Sequence, residues 1–171
     1  MAMSEGSCRF GLWFVHVHWS GAVIHRVRFA TTAIMGPVPP LIQRYCAGQP
    51  VDLSPLVSIA PETMGEVYAR IFAAVRRVPY GKTATYGEIA RRADTGPRVV
   101  GQAMARNPTP LVIPCHRVVG ARGIGGFSPD IGIKESLIAM EERGVKKQRR
   151  KSPDPRGVAV AGKSPGRRGR Q

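Results

Sequence analysis

Thr85-Tyr86-Gly87-Glu88-Ile89-Ala90-Arg91-Arg92-Ala93-Asp94, followed after Thr95-Gly96 by Pro97-Arg98-Val99-Val100-Gly101-Gln102-Ala103-Met104-Ala105-Arg106, decides how this chain is read. Thr85 and Glu88 stand three positions apart ahead of an apolar run. This is the spacing of a capping box, in which the hydroxyl and the carboxylate each satisfy a backbone N–H of the first turn. The box opens a short helix through Asp94 with Ile89, Ala90 and Ala93 inward. Thr95-Gly96-Pro97 is a turn, and Pro97 suits the first position of a new helix because its missing N–H has no partner there anyway. Residues 98–106 then carry Val100, Ala103 and Met104 on one face. Two short helices joined by a tight glycine-containing turn read as a helix-turn-helix. The second helix is poor in the long polar side chains that read base edges in a major groove. Its small residues, Gly101, Ala103 and Ala105, instead let a backbone approach a partner closely.

Upstream, Pro61 suits a helix start and Glu62 suits its positive end. Met64, Val67, Tyr68, Ile71, Phe72 and Val75 recur at three- and four-residue steps, which predicts one amphipathic helix ended by Pro79-Tyr80-Gly81. In residues 10–32, Val15, Val17 and Trp19 alternate with His16 and His18, the period of a strand. With Ser20-Gly21 in the middle, this region predicts a β-hairpin or two successive strands. Pro37 to Pro40 is a stiff connector, residues 41–49 a short helix, and residues 50–60 a linker. Downstream, Asn107-Pro108 closes the helix pair, residues 117–119 are strand-like, and residues 120–126 form a glycine-rich loop. Residues 132–143 make a final helix with Ile133, Leu137 and Met140 inward, capped by Gly144. The expected architecture is an α/β N-terminal piece in residues 1–60, too short for a full core and so packed on its neighbour. A mostly α, winged-helix-like DNA-binding domain carrying the helix-turn-helix follows in residues 61–145, and a basic disordered tail in residues 146–171.

Composition narrows the partners. The chain has 171 residues and a formal net charge of +15. Residues 146–171 hold ten Lys or Arg against one acid, Asp154, in a Gly-, Pro- and Ser-rich context. Such a segment has little to bury, and its charge attracts phosphates in a salt-sensitive, sequence-independent way or simply solubilises the chain. The remaining body is basic as well. No apolar run approaches the roughly 20 residues of a membrane span, and the N-terminus lacks a secretory pattern. A soluble, cytoplasmic protein with no membrane partner is expected. Cys8, Cys46 and Cys115 are an odd number at irregular spacing, which argues against a disulfide framework. Together with His16, His18 and His25, Cys8 and Cys46 show no paired metal-ligand spacing, so no metal is expected.

Cys115 is the chemically suggestive residue. It ends a short apolar run framed by Pro108, Pro110 and Pro114, and His116 follows it directly. The prolines restrict the backbone around the thiol. A thiol is nucleophilic as the thiolate, and an imidazole or nearby cations favour that form.

Ile113-Pro114-Cys115-His116-Arg117-Val118-Val119 resembles the active-site signature of the O6-alkylguanine-DNA alkyltransferases, the methylated-DNA–protein-cysteine methyltransferases. The resemblance covers roughly residues 63–144. It implies direct, irreversible, single-turnover transfer of the alkyl group from O6-alkylguanine in double-stranded DNA to Cys115, with O4-alkylthymine left open as a further substrate. By the resemblance, Cys115 is the nucleophile and His116 takes its proton through a water. Glu141 orients that histidine, and Tyr86 assists the departing guanine. Asn107 braces the active-site turn. Arg98 inserts into the duplex where the target nucleotide is flipped out, from a helix that places Gly101 and Ala105 against the minor groove. Ser128 approaches the substrate O6, and Pro110 and Phe127 belong to the substrate pocket. The product is a thioether with no easy reverse route, no metal or organic cofactor is required, and the protein is expected to be a monomer. The loop departs from the family pattern at Pro129 and Asp130, where small residues are frequent, which bears on pocket width. Taken alone, Arg98 reads as a solvated helix-end charge, Tyr86 as a packing residue and Glu141 as a surface acid. Three other readings are weighed: a DNA-binding relative without the reactive cysteine, a winged helix-turn-helix regulator, and a cysteine hydrolase. The intact cysteine, the small-residue helix with the adjacent histidine, and the lack of an oxyanion-hole signature speak against them in turn.

Overall fold

The computed structural model describes residues 1–152. The chain opens with a three-stranded antiparallel meander, β1 Ser4–Phe10, β2 Trp13–Ser20 and β3 Val23–Ala30. Helix α1, Pro40–Cys46, follows, and β4, Val57–Ser58, adds to β3 in parallel, giving the order β1-β2-β3-β4. Alternation in β2 turns Val15 and Val17 inward, both fully buried. One strand more forms than the expected hairpin. The polar run Ser4-Glu5-Gly6-Ser7 shows little apolar alternation, yet it is the first half of β1. What holds it is the backbone beside it. The Ser7 hydroxyl donates to Ile34 O at 2.8 Å and accepts from Ile34 N at 2.9 Å. Residues 50–60 likewise are more than a linker, since they supply β4.

The second half is mainly helical. Helices α2, Ala60–Thr63, and α3, Glu66–Arg76, replace the single helix expected from Pro61 onward. The break falls at Gly65, whose φ of 88° lies in the left-handed region that a continuing helix cannot use. After β5, Ala84–Thr85, come α4, Tyr86–Arg92, and α5, Pro97–Ala105. The capping box forms as its spacing implies: Glu88 N donates to the Thr85 hydroxyl and Thr85 N to the Glu88 carboxylate. A single 3-10 turn, Cys115–Arg117, leads into β6, Val118–Val119, which pairs with β5 in parallel. Helix α6 spans Ile131–Lys151.

The last helix corrects two expectations. It does not stop at Gly144, and residues 146–151 are helical rather than part of a disordered tail. Gly144 is buried inside the helix because a side chain there would meet Tyr80; its Cβ would lie 2.8 Å from the phenolic oxygen. Its role is therefore close packing, not capping. The expected tail beyond Ser152 lies outside the described residues.

Among the described residues, two hydrophobic cores form. One gathers the inner face of the sheet, Ile42 and Tyr45 of α1, and Ile133, Leu137 and Met140 of α6. The other gathers Ile71, Phe72 and Val75 of α3, Ile89 of α4, and Val100 and Ala103 of α5. Leu111 and Val112 enter the first core, while Ile113 and Val118 enter the second. The segment around Cys115 is thus the seam between them. Among the described residues, no helix is long and apolar enough to cross a membrane.

Gly6 lets β1 lie against the Gly36-Pro37 backbone: a Cβ at Gly6 would sit 2.2 Å from Pro37 O. Gly6→Ala should therefore force backbone movement and lower stability by about 2 kcal/mol, read as a lower urea midpoint with unchanged slope.

Candidate active site

The seam segment is held from both sides. The Asn107 amide donates to Ile113 O at 2.8 Å and accepts from Thr109 N at 3.0 Å, closing the loop that carries Pro108 and Pro110. From the sheet, Val27 N donates to Pro108 O at 2.9 Å, and Ser58 and Thr109 share a buried hydroxyl–hydroxyl bond of 2.6 Å. Leu111 adopts φ 76°, a left-handed conformation that costs a non-glycine residue free energy and persists only where the surroundings enforce it.

Cys115 lines a cavity of about 240 Å³. Tyr86 of α4, Gly101, Met104 and Ala105 of α5, Asn107, Pro110, and Gly126, Phe127 and Ser128 of the glycine-rich loop complete its walls. Eight residues singled out from the sequence thus share one cavity: Cys115, Tyr86, Asn107, Gly101, Ala105, Pro110, Phe127 and Ser128. Arg98 is not among them. It stands exposed in the first turn of α5. A larger groove of about 370 Å³ lies against Pro114 and Arg117, but Cys115 does not line it.

His116 and Glu141 lie behind the cysteine, both buried, at 0% and 1% exposure. His116 Nε2 meets Glu141 Oε1 at 2.7 Å. A carboxylate only accepts, so the imidazole proton sits on Nε2 and the lone pair on Nδ1. Nδ1 is buried and has no hydrogen-bond partner among the described residues. Arg117 grips the same carboxylate, with Nε at 3.0 Å from Oε2 and a terminal nitrogen at 2.8 Å from Oε1. Gly81 N donates to Oε2 at 2.9 Å, and the Tyr45 hydroxyl donates to Oε1 at 2.5 Å. Burial alone would raise the Glu141 carboxyl, but the hydrogen bonds and charges of His116 and Arg117 outweigh it and hold the group well below the usual carboxylate range. Burial pushes the His116 imidazole down, opposed by Glu141, so the ring is neutral at neutral pH.

The thiol departs from expectation. Burial pushes Cys115 up, and the lowering contributions of the Asn107 amide and the Lys134 charge do not reverse this. The resting cysteine is therefore a protonated thiol, not a preformed thiolate. Burial withdraws the water that would stabilise the anion.

Three groups at the site escaped the sequence reading. Arg117 belongs to the signature, but the sequence gives it no role beyond a strand-like position, although a buried glutamate calls for a cation. Lys134 is fully buried, its ammonium donating to Val118 O at 2.6 Å and Gly126 O at 3.2 Å. It straps the glycine-rich loop to β6. No motif marks it, because a lysine in an amphipathic helix reads as solvated. Tyr45 comes from α1, seventy positions before Cys115 in a segment with no chemical pattern. Tyr86 keeps its proton, since burial and Cys115 push the phenol up. Gly125, at φ 78°, lets the loop pass close to it: a Cβ there would lie 3.0 Å from the phenolic oxygen.

The family model described as the 6-O-methylguanine DNA methyltransferase, DNA binding domain, matches residues 66–143. Over 97 residues, 57% of the chain, the sequence is 41% identical to a methylated-DNA–protein-cysteine methyltransferase of Sulfolobus acidocaldarius, and that stretch spans 61% of the relative's length. Over 100 residues, 58% of the chain, it is 42% identical to the protein of the same name from Methanopyrus kandleri, spanning 75% of it. The chain belongs to the methylated-DNA–protein-cysteine methyltransferase family. The likeness of fold extends beyond the matched domain. The crystal structure of the Mycobacterium tuberculosis O6-methylguanine methyltransferase matches with a TM-score of 0.67 at 24% identity, covering 83% of this chain and 94% of that one. An O6-methylguanine DNA methyltransferase from Methanococcus jannaschii matches at 0.53 and 28% identity, covering 80% and 92%. An N-terminal sheet ahead of a helical C-terminal domain is thus the arrangement of this methyltransferase family, and the chain has it.

Replacing Glu141 by Gln leaves Arg117 without its buried counter-charge and should cost about 3 kcal/mol in urea unfolding at neutral pH. The carboxyl is depressed in the folded protein, so its stabilisation is present above the unfolded carboxylate value and lost as pH falls toward the folded one. The gap between wild type and Glu141→Gln should accordingly narrow below about pH 4.

Proposed function

We propose that this chain repairs DNA by transferring the alkyl group of O6-alkylguanine to the sulfur of Cys115, once per molecule. The observation that carries the reading is that Cys115 lines the cavity while the adjacent His116 meets a buried carboxylate at 2.7 Å. O4-alkylthymine, with the same alkyl–oxygen linkage, is the further substrate class.

In this reading α4 and α5 act as a helix-turn-helix of winged-helix type, and α5 lies along the minor groove. Gly101 and Ala105 keep its surface low enough for the backbone of the duplex to approach. Arg98 enters the stack in place of the extruded nucleotide; flipping costs a few kcal/mol, and a side chain filling the gap offsets part of it. The duplex phosphates supply the anion that an arginine at a helix start otherwise lacks. The flipped base enters between Tyr86, Pro110 and Phe127, with its O6 toward Ser128.

The reaction is a displacement at the alkyl carbon. The Cys115 sulfur forms the S–C bond while His116 accepts the thiol proton on Nδ1, through a water. The C–O6 bond breaks, its electron pair goes to guanine, and the Tyr86 hydroxyl protonates the departing ring. Glu141 holds the imidazole in the required tautomer and balances its transient charge, as the carboxylate of a catalytic triad does. The thioether product offers no thiol to regenerate, so turnover ends. Lys134, beside the thiol and strapping the loop, favours the developing negative charge on sulfur. The chain works as a monomer in the cytoplasm, on double-stranded DNA.

Incubation with duplex DNA containing O6-methylguanine should add one methylene mass to the Cys115 peptide, stoichiometrically and never more than once. Cys115→Ala should bind the duplex and gain nothing. Binding without mass gain by the wild type would contradict the proposal. Arg98→Ala should slow uptake from duplex by about tenfold while leaving uptake from the free O6-methylguanine base unchanged, because only the duplex requires extrusion.

A further inference from the structure

Tyr45 stands outside the signature and outside the cavity, yet it touches both members of the histidine–carboxylate pair. Its side chain is fully buried. Its hydroxyl lies 2.5 Å from Glu141 Oε1 and 3.2 Å from His116 Nε2. Ionised Glu141 can only accept, so the phenolic proton points at the carboxylate. The phenol itself stays protonated, since burial and the Glu141 charge both push it up. The ring is held edge-on against Tyr80, with centroids 6.0 Å apart, and Ile42 of the same helix is fully buried beside it in the core.

We propose that Tyr45 is a positioning residue for alkyl transfer, by which the N-terminal unit sets the proton affinity of His116. The inference rests on the transfer reading above. The Glu141 oxygen that faces the imidazole also takes the Tyr45 proton, and each donor to that oxygen weakens its pull on the His116 proton. The groups around His116 are Glu141 and Lys134 of α6, Cys115 and Arg117 of its own turn, Tyr45 of α1, and Tyr80 near Glu141. Among these, Glu141 favours the imidazolium, Arg117 and Lys134 oppose it, and Tyr45 tempers Glu141. The longer contact from His116 Nε2 to the Tyr45 oxygen acts in the opposite sense. It is shared with Glu141 and lies at 3.2 Å, so the charge-assisted bond at 2.5 Å dominates. Removing the hydroxyl therefore raises the His116 pKa and withdraws the neutral base as pH falls.

The test uses the full chain, Tyr45→Phe and Ile42→Val. The single-turnover rate of methyl uptake from a duplex bearing one O6-methylguanine is followed between about pH 5 and 8.5, the range that brackets an imidazole. In Tyr45→Phe the rising limb should move up by about one pH unit, the size of one hydrogen bond to a charged group. Uptake below the limb should then be about tenfold slower, with the high-pH plateau and DNA affinity retained. Ile42→Val loosens α1 without touching the hydroxyl and should leave the limb in place. An unmoved limb in Tyr45→Phe, or an equal shift in Ile42→Val, overturns the proposal. The His116 imidazole titration followed by NMR in the free protein reads the same shift without DNA. If wild type took up no methyl at any pH, the transfer reading would fall, while that titration would still decide whether Tyr45 tunes the histidine.

Discussion

The buried carboxylate of Glu141 is the interaction on which the site depends. An isolated carboxylate at 1% exposure would be strongly disfavoured. Here it is accommodated by donors from elements far apart in sequence: Tyr45 from α1, Gly81 from the turn after α3, and His116 and Arg117 from the 3-10 turn. Through Glu141 these bonds tie α1, the turn after α3 and α6 to the 3-10 turn that carries Cys115. The left-handed φ of Gly81, 77°, belongs to this arrangement, since its N–H reaches Glu141 Oε2. Loss of the charge would unsettle the arginine, the histidine and the docking of α1 together.

The segment around Cys115 lies in a seam. Leu111 and Val112 enter one core, Ile113 and Val118 the other, and Cys115 falls between them with one side open to a cavity. A loop on the surface could not keep an imidazole dry and neutral, and a residue deep in one core could not present sulfur to a ligand. The seam gives a dry base on one side and an accessible thiol on the other. The protonated thiol fits this division. With Cys115 protonated, the site does not place a thiolate beside the buried Glu141 carboxylate.

Much of this was legible in the sequence where local chemistry and tertiary structure agree. The capping box at Thr85 and Glu88, Pro97 at a helix start, and the alternation of Val15 and Val17 act within a few residues, and each forms as its pattern implies. Eight of the ten cavity-lining residues, all but Met104 and Gly126, were legible through the signature and its surroundings. Harder to read were features created by partners distant in sequence. Ser4 to Ser7 has no apolar pattern, and β1 forms there because it pairs with His16 to Trp19 of β2 while Ile34, Gly36 and Pro37 lie alongside. Gly65 breaks a helix whose apolar spacing continues across it. Gly144 looks like a cap but is a contact surface for Tyr80, so α6 runs on to Lys151. Tyr45 and Lys134 carry no motif, and only folding brings them to the site. The direction of the thiol's shift depends on burial, which the flanking cations in the sequence do not report.

The central claim is a protonation state: Glu141 keeps the His116 proton on Nε2, leaving a neutral ring with its lone pair on Nδ1. Long-range proton–nitrogen NMR on the imidazole-labelled wild type, at neutral pH and without DNA, reads this directly. The account predicts one His116 nitrogen, Nδ1, with the shift of a lone-pair nitrogen and Nε2 with that of an N–H. An imidazolium, or a proton found on Nδ1, would contradict it.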